Sequence, residues 1–152
     1  RFKMARYVII SPNPEDDVIA YMEKWAKMSG LLQRPDYVPK RIGWDFPFVS
    51  KQQQEKFGLR GYVCAYVIPE DFEPACPGAE LAYQAADDYA AITVTDPFEA
   101  PFERIPAGYR RIFECIRQKG LEARNYDGRI CFEEVYEKDG VTYMDIYVPI
   151  DR

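Results

Sequence analysis

The residues of RYVIIS, Arg6 to Ser11, alternate in character and are rich in β-branched side chains, which predicts a strand. The period then changes. In SPNPEDD, Asn13 suits a helix N-cap, Pro14 the first helical position, and Glu15, Asp16 and Asp17 the positive end of the helix dipole. Val18, Tyr21, Met22, Trp25 and Met28 recur three or four residues apart, so a helix should run until Gly30 stops it. GWDFPFVS, Gly43 to Ser50, is a short extended run with Trp44, Phe46 and Phe48 on one face, and Pro47 confines it to an edge or a bulge. KQQQEKFG reads as a polar loop. RGYVCAYVIP, Arg60 to Pro69, returns to a period of two, with Val63, Ala65 and Val67 on one side and Tyr62, Cys64 and Tyr66 on the other.

EDFEPACPG, Glu70 to Gly78, is a connector at the midpoint. Strands are predicted at Ala79–Ala85 and at DYAAITVTD, Asp88 to Asp96. A helix follows from about Ile105 to Lys119, with Pro106 in its first turn, Tyr109, Ile112, Phe113 and Ile116 as its apolar stripe, and Gly120 as its stop. Two halves, at about 1–75 and 79–152, each read strand, helix, strand, strand, and the letters repeat at 82 residues for Tyr7 and Tyr89 and at 81 for Tyr66 and Tyr147. One α+β domain spanning 1–152 is expected: duplicated βαββ units forming an antiparallel sheet, with helices on one face and a ligand cleft on the other.

The chain closes on CFEEVYEKDGVTYMDIYVPI, a hairpin whose Asp139-Gly140 pair suits a two-residue type I′ turn. With that loop, Lys138 pairs with Val141, Tyr136 with Tyr143, Glu134 with Asp145, and Phe132 with Tyr147. Val135, Met144, Ile146, Cys131 and Val148 then face the helices, and Glu133 falls among them as a misfit that implies a slip or a bulge. Opposed carboxylates, with Cβ atoms roughly 5 Å apart, repel by about 3 kcal/mol at an effective dielectric of ~20. One of them takes up a proton, or the pair recruits a cation. Rings of Phe132, Tyr136, Tyr143 and Tyr147 around the pair form an aromatic cage for a flat or quaternary cation. Trp44, Phe46, Phe48, Tyr62 and Tyr66 are candidates for a second wall, with Asp45 nearby. The rival reading is plain: one face of an antiparallel sheet is commonly solvated and carries Glu, Asp and Tyr without function, and strand Trp and Phe more often fill cores.

Composition narrows the chemistry. The 152 residues carry a net charge of −5 and a pI near 4.9, which opposes a nucleic-acid backbone and attracts cations. There is no His, which removes Ser-His and Cys-His nucleophile pairs and His-ligated haem. The four cysteines have no CxxC spacing and read as reduced core residues, so no metal and no cofactor is expected. Without an apolar run near 20 residues or a signal-peptide layout, a cytoplasmic protein without membrane contact is expected.

The ordered series DYAAITVTDPF, IPAGYRRIFECIRQKG, FEEVY and MDIYVPI resembles the GyrI-like small-molecule-binding domain, the effector-binding unit of Rob-type and BmrR-type bacterial transcription regulators. The resemblance implies an aromatic-lined cleft between the halves with an acid inside, used for multidrug binding of lipophilic cations. By position, the family's E-x-Y falls on Glu134 and Tyr136, and the acid before the closing IYVPI falls on Asp145; the first half departs more. Relatives are often fused to AraC-family or MerR-family DNA-binding segments. No helix-turn-helix is visible here, and the start at Arg1 without Met reads as a fragment, so DNA is expected only through a separate domain; a homodimer is compatible with this layout. The expected function is ligand sensing, with lipophilic or cationic small molecules as partners and no catalytic residue. The alternative is a small-molecule hydrolase of the same fold acting on electrophilic compounds, with Glu134 as base or nucleophile and Tyr143 as proton donor.

Overall fold

Alternation at the amino end builds β1 (Phe2–Ser11), and the proline-led acidic turn after it builds α1 (Pro14–Met28). The computed structural model describes residues 1–124 and 129–151, and it is α+β with antiparallel strands. The chain divides into two units, 1–85 and 86–152. In the first, β2 (Arg41–Phe46), α2 (Lys51–Phe57), β3 (Arg60–Ile68) and β4 (Glu80–Gln84) follow α1, and the strands lie in the order β4-β1-β3-β2. The second contains β5 (Tyr89–Thr95), α3 (Pro101–Gln118), β6 (Glu122–Ala123), β7 (Phe132–Lys138) and β8 (Val141–Asp151), in the order β7-β8-β5 with β6 also on β8.

Helix α1 buries Val18, Met22, Trp25 and Ala26 against Ala5, Tyr62, Cys64, Tyr66, Ile68 and Phe72. Met28 leaves the predicted stripe and is exposed. Asn13 holds the N-cap position, yet its side chain donates to Asp16 at 2.9 Å instead of capping the backbone. Gly30, at φ 90°, ends the segment as expected. Tyr21 donates to the Gly78 carbonyl at 2.6 Å and ties the connector down. At φ 118°, and with Tyr21 and Trp25 atoms 3.1–3.3 Å from where a Cβ would stand, that position requires glycine.

Several sequence expectations change. The polar loop at KQQQEKFG is helix α2: Ser50 and Gln53 form a reciprocal capping box, a signal the residues carried. The strand near residue 80 pairs with β1 and belongs to the first unit, so the division falls after residue 85. Helix α3 begins a turn early, at Pro101, which leaves Pro106 inside it. There Pro106 removes one backbone hydrogen bond, on a turn where Phe102 faces solvent.

Gly108, Ile112 and Ile116 seat α3 on Val94, Met144, Ile146 and Val148, whereas Phe113 turns outward. Glu133 pairs with Ile146 without a slip or bulge. Its carboxylate is accommodated on the helix side because Tyr109 of α3 donates a short hydrogen bond to it. Arg129 forks onto Asp87 at 2.6 and 2.8 Å and also reaches Asp151 and the Ile150 carbonyl, closing the far end of the unit. All four cysteines are free thiols. Only Cys64 is fully buried, its thiol pushed up to about 12 by burial, whereas Cys115 is exposed and is no core residue. No helix among the described residues is long and apolar enough to cross a membrane.

Both units repeat β-α-β-β with matching spatial order, β1-β3-β2 and β5-β8-β7. The repeated letters are nevertheless out of phase. Tyr7 stacks on Tyr21 of α1 and Tyr66 lies in the α1 core, but Tyr89 and Tyr147 lie on the face turned away from α3.

Gly108 allows one energetic test. A Cβ there would stand 2.6 Å from Val94 Cγ2. Replacing an ordinary helical glycine by alanine gains about 1 kcal/mol, whereas overpacking costs about 1–3 kcal/mol. Gly108→Ala should therefore lower stability to denaturant, and adding Val94→Ala should recover most of the loss. A stabilised Gly108→Ala would show that α3 does not rest this closely on β5.

Candidate functional site

The hairpin turn sets the site. Asp139 and Gly140 adopt φ 53° and 79°, the two positive angles of the expected turn, and β7 and β8 pair from Lys138–Val141 outward. Every predicted pair is present: Tyr136 with Tyr143, Glu134 with Asp145, Phe132 with Tyr147. Because Met144, Ile146 and Val148 are drawn into the α3 core, the alternate residues must face the other way.

That helix-free face is built in rungs. Phe132 stacks on Tyr147 with centroids 4.7 Å apart, and Tyr89 meets both edge-on at 5.4 and 6.3 Å. One step along, Glu134, Asp145 and Thr93 share a row, and beyond it Tyr136 and Tyr143 stack at 5.6 Å. Phe132 is buried as the floor, while Glu134, Asp145, Tyr136, Tyr143 and Tyr147 are half-buried.

Hydroxyls converge on one acid. Thr93 Oγ1 donates to Asp145 Oδ1 at 2.6 Å, Tyr136 Oη to the same oxygen at 3.1 Å, and Tyr147 Oη to Oδ2 at 3.5 Å. Burial pushes the Tyr147 phenol up to about 12, with the Asp145 and Glu134 charges adding to it. Tyr136 is raised by burial first and then by its bond to Asp145. Both phenols therefore remain protonated donors at neutral pH.

The first unit divides the other candidates. Trp44 and Phe46 lie on its helix-free face, and Phe48 lies beyond β2, exposed, with its ring edge-on to Phe46 at 5.3 Å. Tyr62 and Tyr66 do not join them: both are buried under α1, and the Tyr62 ring lies over Gly43, where a Cβ would meet its hydroxyl at 2.5 Å. Asp45 shares that helix side, and burial raises its carboxyl above the usual range. Tyr89 and Thr93 were missed by the sequence reading. The alternation of DYAAITVTD puts them on one face, but only the pairing of Thr93 with Asp145 and of Ala91 with Tyr147 shows which face.

No protein-family model and no curated protein matches the chain. Among solved structures, a protein described as a hydrolase from Listeria innocua is similar, at 8% identity and a TM-score of 0.62, over 99% of this chain and 87% of that one. At that identity the likeness concerns the fold.

The tyrosine environment has a pH consequence. A phenol raised to about 12 when folded, from about 10 when unfolded, contributes fully below about pH 10, and that stability is lost as pH rises through about 12. Tyr147→Phe should flatten this alkaline decline in denaturant titrations across that window. Identical slopes in variant and parent would contradict the buried, acid-flanked placement of the phenol.

Proposed function

We propose that the helix-free face of the second unit binds a flat, lipophilic aromatic cation, and that the chain is the effector-binding domain of a GyrI-like bacterial transcription regulator. One observation carries the reading: two directly opposed carboxylates, Glu134 and Asp145, stand in a half-buried row between two stacked ring pairs. A cation in that row gains charge pairing with the acids and attraction to the ring faces, about 0.5–2 kcal/mol per cation–π contact. A neutral molecule of the same shape gains only the apolar part, so occupancy depends on charge. In a sensor, the switch is driven by the difference in affinity between two states. Transmission to DNA would run through a segment outside this chain.

A second reading has one observation in its favour, the hydrolase description of the structural neighbour from Listeria innocua. In it Glu134 is the base or nucleophile and Tyr143 the proton donor toward an electrophilic small molecule.

Fluorescence titration with 9-aminoacridine, a flat cation at neutral pH, and with neutral acridone tests the first reading. Glu134→Gln should weaken the cation by about tenfold or more and acridone by less than about twofold. Equal losses would refute the charge role. Turnover of an electrophilic probe, abolished in Glu134→Gln and reduced in Tyr143→Phe, would instead establish the enzyme.

A further inference from the structure

The hydroxyls around Asp145 are unevenly shared between its two oxygens. Oδ1 accepts from Thr93 at 2.6 Å and from Tyr136 at 3.1 Å. Oδ2 meets Tyr147 at 3.5 Å, the outer limit of a hydrogen bond. An ionised carboxylate offers about two acceptor sites on each oxygen, so Oδ1 is filled and Oδ2 keeps capacity. The 2.6 Å bond from Thr93 has the length of a charge-assisted hydroxyl–carboxylate bond, and it comes from a neighbouring strand held in register over seven residue pairs. The carboxylate cannot rotate about its own axis without giving that bond up. Its remaining acceptor is thereby held in one orientation, in the row between Tyr136 with Tyr143 and Phe132 with Tyr147.

The two attractions a cation meets here differ in direction dependence. Ring faces and net charge attract any cation of suitable shape. A fixed lone pair rewards only a donor pointing at it, and hydrogen bonds to charged groups are among the stronger ones. We propose that Thr93 is a positioning residue that, by fixing Asp145, makes this face select cations carrying an N–H donor, protonated aromatic amines, over quaternary cations of the same shape. The inference rests on the aromatic-cation reading above and names its ligand class. Thr93 is exposed and sits on a strand, where valine keeps the β-branched shape and removes only the hydroxyl.

The test compares 9-aminoacridine, which carries N–H donors, with 10-methylacridinium, which carries none, by fluorescence titration against the parent chain, Thr93→Val and Thr93→Ser. The parent should prefer the amine by about tenfold. Thr93→Val should lose most of that preference through weaker amine binding, with 10-methylacridinium changed less than about twofold, and Thr93→Ser, which keeps the hydroxyl, should restore it. A parent without the preference, a Thr93→Val variant that keeps it, or equal weakening of both dyes would overturn the role of Thr93 while leaving cation binding intact. If neither dye binds the parent, the aromatic-cation reading and this inference fall together.

Discussion

The two-residue turn at Asp139 and Gly140 constrains everything on the second unit's helix-free face. Two consecutive positive φ angles permit one tight loop, and that loop dictates which residues of β7 and β8 stand opposite each other. A shift of β8 by one position would turn Met144, Ile146 and Val148 out of the α3 core and drive Asp145 into it. The turn chemistry and the burial of those three side chains therefore favour the same pairing. The opposed acids are a by-product of a register held for hydrophobic reasons, which is why the repulsion between them does not undo it.

Helix α3 protects this arrangement from the one residue that argues against it. Glu133 sits on the core side, where an isolated carboxylate would favour a bulge. Tyr109 comes down from the helix to donate to it, and the helix comes close enough because Gly108 presents no side chain to Val94. A glycine, a tyrosine and a glutamate thus cooperate across two elements, and the ladder continues through Glu133 to Glu134 undisturbed.

The same supersecondary plan appears in both units with its tyrosines used differently. In the first, Tyr62 and Tyr66 fill space under α1, with Gly43 admitting the Tyr62 ring. In the second, aliphatic side chains fill most of the equivalent layer, and the strand tyrosines lie on the opposite face, where the hydroxyls of Tyr136 and Tyr147 reach Asp145. Tyrosine suits either role because its ring packs while its hydroxyl finds a partner. Letters repeating 81 or 82 residues apart therefore said nothing about faces: a displacement of one position leaves the string similar and inverts the side chains.

Local chemistry was enough to determine the strand and helix periods, the glycine stops at Gly30 and Gly120, and the complete β7–β8 register, because each depends on residues close in sequence. Ser50 and Gln53 were equally local and foretold α2, though the glutamine-rich run around them resembles a loop. Tertiary structure alone decided the rest. Tyr62 and Tyr66 face α1 because a helix dozens of residues away packs there, and β4 joins the first unit because β1 offers it an edge. Thr93 reaches Asp145 across 52 positions of sequence, and Tyr109 reaches Glu133 across 24. A period of two tells which residues of a strand lie together, but only the partner strand or helix tells which way they point.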